Sequence, residues 1–298
     1  MANTTQIQRT YDWMDDMFRR GLGEHADITC AFYNGDYSLT LEEAQTAKHE
    51  YMLKGIKFEP GLRVLDIGCG WGPFLKVVQE RGGKAVGLTL SKAQVETCER
   101  NGLEAYLLDW KDMDPKKFGR FDAIVSVGAF EHFCSVEEYK AGKQDEIYRK
   151  FFDLCQKLLP PHGRLFLQTM VWNNTPDYDK ISFDAPKDSD YYLMACLEKF
   201  YPGSWLPGGK EQIIKNAKTF NLISANSGRL DYIKTMDEWR KKTRRLTPAL
   251  LWGRVRLIPK YLTDKDFRIQ IESLDNEANK KMFERNIMEH YRMVFEKI

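Results

Sequence analysis

The chain has 298 residues, 43% hydrophobic, 30% charged and 13% aromatic, and its 45 basic and 43 acidic side chains leave a net charge of +2. That is the composition of a folded chain with one sizeable core, which excludes a disordered or fibrous protein, and so balanced a charge gives no global field to recruit nucleic acid. No apolar run reaches the roughly 18 residues of a membrane span, and Met1-Ala2-Asn3-Thr4-Thr5 opens no signal sequence, so a soluble, cytoplasmic protein is expected.

In chain order, Tyr11, Met14 and Phe18 stand at helical spacing until Gly21 and Gly23 break the pattern. A second helix is predicted from Thr40 to Gly55, with Thr40 as N-cap and Glu43 closing a capping box. Residues 1–58 thus read as a helical lid. Short apolar strands then alternate with helices: strand Arg63–Ile67, helix Phe74–Arg81, strand Ala85–Leu88, helix Lys92–Asn101, strands Ala105–Leu108 and Ala123–Val127, helix Gln144–Leu159, strand Arg164–Thr169. Such alternation implies an α/β fold, a doubly wound parallel sheet covered on both faces, with residues 59–170 as the cofactor-binding core. Trp172–Leu206 interrupts it as an insertion able to cover the mouth of the sheet, ending in the turn-rich Pro202–Gly209. From Lys210 the chain reads as mostly helical with one strand near Leu222–Ala225, and residues 171–298 complete a single domain. The six cysteines lack CxxC pairing and read as free thiols, with no metal site.

Ligands of open α/β sheets bind beyond the carboxyl ends of the strands, so the loop after the first strand is the place to look. There Gly68, Gly70 and Gly72 follow Leu65-Asp66-Ile67 and precede Pro73, which suits a first helical turn. A nicotinamide dinucleotide would require G-x-G-x-x-G and an acid about 20 residues on. Here the spacing is G-x-G-x-G, and the second strand runs into Thr89-Leu90-Ser91-Lys92 without an acid. The pattern favours S-adenosylmethionine, whose amino-acid end carries no phosphate. Asp66 then either fixes the loop or faces the cationic end of that cofactor.

The loop stands with Thr29-Cys30-Ala31-Phe32-Tyr33, Thr40-Leu41-Glu42-Glu43-Ala44-Gln45, Gly87-Leu88-Thr89-Leu90-Ser91-Lys92-Ala93-Gln94 and Val127-Gly128-Ala129-Phe130-Glu131-His132-Phe133. Through these stretches the chain resembles, over nearly its whole length, the cyclopropane fatty acid synthase and mycolic acid cyclopropane synthase family. The resemblance implies a class I, Rossmann-like methyltransferase with a seven-stranded, mostly parallel sheet, an N-terminal helical lid and a helical insertion. It implies that Gly68, Gly70 and Trp71 line the methionine and ribose part of the cofactor and that Thr89, Leu90 and Gln94 meet the ribose and adenine. By the same likeness Trp110 lies beside the adenine, with Lys111 where an acid is usual, and Tyr11 closes over the cofactor.

In that family an alkene attacks the sulfonium methyl carbon, and the resulting carbocation loses a proton to bicarbonate. The resemblance assigns the ion to Glu131, the backbone of Cys30 and Tyr232, while Gln168 stands where the family has a histidine on the fifth strand. An amide hydrogen-bonds but carries no charge at neutral pH. Gly21–Asp27 departs as well, replacing a Leu-Asp-Pro turn over the expected acceptor pocket. The expected acceptor is a lipid or another hydrophobic olefin. The alternatives are an isoprenoid olefin, an amine, or a cofactor-binding module without chemistry.

Plainer readings stand beside these. Glu131 could serve only as a helix start, His132 as a hydrogen-bonded packing residue, and Tyr232 as a buried aromatic with a satisfied hydroxyl. No Cys-His-Asn arrangement supports a covalent role for the Cys30 thiol. The basic run Arg240–Arg245 followed by Leu250–Arg256 reads as a solvated helix face with core-facing leucines, or as a surface for peripheral contact with an anionic membrane.

Overall fold

In a computed structural model, residues 27–245, 247–275 and 277–298 are described. The predicted helix at Tyr11–Phe18 and most of the segment 21–27 lie outside them. The first described helix, α1 (Leu41–Gly55), begins as the sequence requires: Thr40 accepts from the Glu43 backbone while Glu43 reaches back to the Thr40 N–H.

Seven strands follow, β1 (Arg63–Ile67), β2 (Lys84–Thr89), β3 (Glu104–Leu107), β4 (Ala123–Val127), β5 (Arg164–Trp172), β6 (Phe220–Ser227) and β7 (Met288–Lys297). They form one sheet in the order β3-β2-β1-β4-β5-β7-β6, with β1 to β5 parallel and β7 antiparallel to both neighbours. Strand order reverses beside β1, which makes the carboxyl ends of β1 and β4 the place for a ligand.

Strand alternation divides the core into two layers. Leu65, Ile67, Ile124, Leu165 and Leu167 face α6 (Gln144–Leu158) through Tyr148, Phe151 and Phe152. Val64, Val125 and Phe166 face α1 and α2 (Pro73–Glu80) through Met52, Leu53, Phe74 and Val78. The first five strands and the helices α2, α3 (Lys92–Arg100) and α6 fall within two residues of the sequence expectation, except that β5 runs three residues further. Two short helices, α4 (Pro115–Phe118) and α5 (Val136–Lys140), went unpredicted.

The expected helical insertion contains α7 (Asp190–Phe200), capped by the Ser189 hydroxyl. One expectation is corrected. The region after α8 (Lys210–Asn216), expected to be mostly helical with one strand, contains β7 as well as helices α9 (Arg229–Thr243), α10 (Pro248–Thr263), α11 (Lys265–Asp275) and α12 (Ala278–Glu284). β7 is hidden in the sequence because buried polar residues interrupt its apolar run: Glu289, His290 and Arg292 are all buried. Arg292 is tolerated there because its guanidinium meets Asp231 at 3.0 Å and donates to the Ala31 carbonyl at 2.6 Å. All six cysteines are buried free thiols, and no helix among the described residues is long and apolar enough to cross a membrane.

Candidate active site

The β1–α2 loop forms one wall of a cleft of about 200 Å³ at the carboxyl edge of the sheet. Backbone N–H groups of Gly68 and Cys69 both donate to the Leu88 carbonyl, which fastens the loop to β2. Gly68 has φ +90°, and a Cβ there would lie 2.4 Å from that of Ala129, so only glycine fits. Gly70, at φ +56°, meets nothing within 4 Å and faces the open cleft. Gly72 does not line the cleft: a Cβ there would press on Leu103 and Cys98, so the expected ligand contact is replaced by a packing role.

Asp66, Gly68, Gly70, Trp71, Thr89, Leu90, Gln94 and Trp110 all line this cleft, and Tyr11 lies outside the described residues. Two buried polar atoms in its wall lack a protein partner, Asp66 Oδ1 and Trp71 Nε1. Burial, with a contribution from Asp27, pushes the Asp66 carboxyl up to about 7. A cation placed beside it would reverse that shift. The Thr89 hydroxyl donates to Gln94 Oε1 and fixes that side chain at the wall, while the Trp110 ring is held by Phe133 and Phe151 at centroid distances of 5.0 and 5.5 Å. An acceptor, an indole donor, a backbone surface and an aromatic platform suit the ammonium, ribose and adenine of S-adenosylmethionine.

The sequence reading missed an ionic cluster in the same cleft. Asp27, Lys48 and His49 are buried and line it, with Lys48 Nζ on Asp27 Oδ2 and His49 Nε2 3.2 Å from that oxygen. The Thr29 hydroxyl and backbone N–H both donate to Asp27 Oδ1. Burial alone would raise the Asp27 carboxyl, but Lys48 and His49 outweigh it and hold it well below the usual carboxylate range. The signal was legible: Leu41, Ala44, Gln45, Lys48, His49 and Met52 occupy one buried stripe of α1, so its polar members sit where helical period demands apolar ones. Asp109, Lys111 and Glu138 also line the cleft and were not singled out as acids or bases of this wall, apart from Lys111.

Glu131 lies on a 3-10 turn, Phe130–His132, after β4. It is buried, accepts the Thr169 hydroxyl at 3.0 Å, and burial pushes its carboxyl up to about 7. It lines a second, smaller cavity of about 50 Å³ with Met170, Trp172, Tyr178, Tyr201 and Trp205. His132 lines both cavities, so this turn is the partition between them. Its Nδ1 meets the Ser204 hydroxyl at 2.9 Å, and burial pushes its pKa down to about 4, leaving a neutral imidazole.

The other three expected catalytic positions are buried. Gln168 Nε2 donates to the Cys30 carbonyl at 3.1 Å, which joins those two residues, and Gln168 Oε1 is buried without a partner. Tyr232 packs in the same apolar cluster as Cys30 and Met170, with His290 and Phe283 against its ring at 5.2 and 4.9 Å. None of the three lines either cavity. Burial raises the Cys30 thiol to about 12, so a thiolate is not available for covalent chemistry.

A family model described as mycolic acid cyclopropane synthetase matches residues 1–250. Cyclopropane mycolic acid synthase 3 of Mycobacterium tuberculosis (strain CDC 1551 / Oshkosh) is 31% identical over 243 residues, 78% of this chain and 79% of its own. Hydroxymycolate synthase MmaA4 of Mycobacterium tuberculosis (strain ATCC 25618 / H37Rv) is 32% identical over 247 residues, 78% of this chain and 76% of its own. The crystal structure of mycolic acid cyclopropane synthase CmaA1 complexed with SAH and CTAB superposes with a TM-score of 0.76 at 26% identity, covering 99% of this chain and 98% of that one.

Proposed function

The chain belongs to the mycolic acid cyclopropane synthetase family of S-adenosylmethionine-dependent methyltransferases, and on that premise we propose that it methylates the carbon–carbon double bond of an unsaturated lipid through a carbocation. The observation that carries the proposal is Glu131: one buried carboxyl, poised near neutrality, facing an aromatic cavity that shares a wall with the cofactor cleft.

S-adenosylmethionine supplies, when bound, a methyl group on a positively charged sulfur. Every other requirement falls on this chain's residues. An alkene is a weak nucleophile and must be held against the methyl carbon, and the apolar side chains of Met170, Met194 and Leu197 offer it a surface beside the shared wall. The acceptor's π electrons would bond to the methyl carbon as its bond to sulfur breaks, the electron pair staying on sulfur, and would leave a cation on the neighbouring carbon. The aromatic side chains of Trp172, Tyr178, Tyr201 and Trp205 line the cavity, and aromatic rings stabilise such a charge.

One proton must then leave. Glu131, ionised about half the time near pH 7, lines that cavity at its shared wall with the cofactor cleft, and the Thr169 hydroxyl orients its second oxygen. The oxygens among the groups expected to hold bicarbonate do not themselves attract an anion. The Cys30 carbonyl is taken by Gln168, the remaining Gln168 Oε1 is an acceptor, and Glu131 adds a carboxylate. In this reading the proton goes to Glu131.

A second reading, methyl transfer to an amine, is favoured by one observation. Glu198, accepting the Tyr178 hydroxyl at 2.8 Å, puts another carboxylate in the aromatic cavity, which also suits a cationic amine. Mass spectrometry of lipids from cells with and without the expressed chain separates the readings. A gain of about 14 mass units on monounsaturated acyl chains, the CH₂ left by methyl transfer and proton loss, is expected. Unchanged acyl chains alongside a methylated amine would select the second reading.

A further inference from the structure

We propose that the outer face of α10 docks this protein on an anionic lipid bilayer. Thirteen large hydrophobic side chains are exposed among the described residues, and five of them fall within this one 16-residue helix. Leu251, Trp252, Val255, Ile258 and Leu262 are 44%, 64%, 51%, 50% and 68% exposed. Leu251, one of the leucines expected to face the core, is instead exposed, as is Leu262 further along the helix. At about 100° per residue, Leu251, Val255, Ile258 and Leu262 lie within about 60° of one another, with Trp252 at the margin of the stripe.

Charge follows the same geometry. The segment Pro248–Thr263 contains no aspartate or glutamate. Exposed Arg254 and Arg256 flank the apolar stripe on opposite sides by the same angular count, and exposed Arg244 and Arg245 precede the helix. Among the described residues neither Arg254 nor Arg256 forms a salt bridge, and Arg254 spends its Nη2 on the Thr243 carbonyl at 2.7 Å. An apolar stripe with an aromatic margin and basic flanks is the pattern of a helix lying in the headgroup region, its stripe among acyl chains and its arginines on phosphates.

The opposite face ties α10 to the protein. Lys260 lies over the Phe267 ring at 4.8 Å, and the Arg268 guanidinium over Tyr261 at 6.0 Å, both joining α10 to α11. α11 is pinned to α7 by Lys199 to Asp266 at 2.9 Å and by Gln270 to the Lys199 carbonyl at 2.8 Å. α7 contributes Met194, Leu197 and Glu198 to the small cavity. The docking face and that cavity are therefore joined by two packed helices. A second copy of this chain is disfavoured as the occupant, since a two-fold contact would oppose Arg254 and Arg256 to cations of the same stripe. The proposal does not depend on which acceptor is methylated.

Co-sedimentation of the full chain with phosphatidylglycerol vesicles and with phosphatidylcholine vesicles tests it. Binding to the anionic vesicles is expected, weakened at least about tenfold by Arg254→Glu with Arg256→Glu and by Ile258→Glu. Leu230→Glu, which puts the same charge on an exposed leucine outside α10, should leave binding unchanged. S-adenosylmethionine affinity, unaltered in all variants, shows that they fold. Equal sedimentation of Ile258→Glu and the parent chain would overturn the proposal. So would a parent chain that ignores vesicles, or one that is dimeric and becomes monomeric on Ile258→Glu.

Discussion

Glu131 and Asp66 are both buried carboxyls pushed up to about 7, and they differ in what relieves them. Asp66 has an oxygen with no protein partner in the cofactor cleft, so a bound cation stabilises its ionised form. Calorimetry should find S-adenosylmethionine binding strengthening as pH rises through about 7, and Asp66→Asn should weaken it about tenfold and flatten that rise. Glu131 works in its ionised form, so turnover should climb through the same window, and Glu131→Gln should lower it at least about 100-fold. Stability moves the other way. A carboxyl whose folded pKa exceeds its unfolded value binds its proton more tightly when folded, so the fold loses stability as pH rises from about 4.5 to about 7. Denaturant titration at pH 8 should find Glu131→Gln more stable than the parent by roughly 3 kcal/mol, the difference vanishing below about pH 4. The sequence placed both residues at strand ends, which is a statement about topology. It did not show that Tyr232 and Gln168 line neither described cavity, because depth from a cavity depends on packing between distant segments.

Among the elements, the glycine loop and α1 were legible because their signals are local: glycine where φ is positive, and a hydroxyl followed three residues later by glutamate. Two glycines of that loop should nonetheless respond differently. Gly68→Ala collides with Ala129 and should unfold the loop, at about 2–3 kcal/mol. Gly70→Ala has room and should cost about 1 kcal/mol in stability, its larger effect falling on cofactor affinity, where the methyl occupies cleft space. β7 was not legible because its polar residues are explained only by partners far away in sequence. Arg292 is the clearest case, and Arg292→Met should cost about 3 kcal/mol or more in thermal or denaturant unfolding, since it strands Asp231 as a buried charge. The polar stripe of Gln45, Lys48 and His49 on α1 carries the same lesson in reverse. There the anomaly was visible in the helical period, and it marked a cleft wall.

At the scale of the whole molecule, strand and helix alternation fixed the parallel half of the sheet and the edge where ligands gather, while the antiparallel half and the helical cover over α7 came from tertiary contacts. α7 and the loop after it wall the small cavity, which the proposed function takes as the acceptor site. The most direct measurement gives the purified chain S-adenosylmethionine labelled in its methyl group, together with phospholipid vesicles of identical headgroup whose acyl chains are either monounsaturated or fully saturated. Label should enter the acyl chains of the unsaturated lipid and stay out of the saturated one. Label appearing equally in both, or confined to a headgroup amine, would contradict methylation of a lipid double bond.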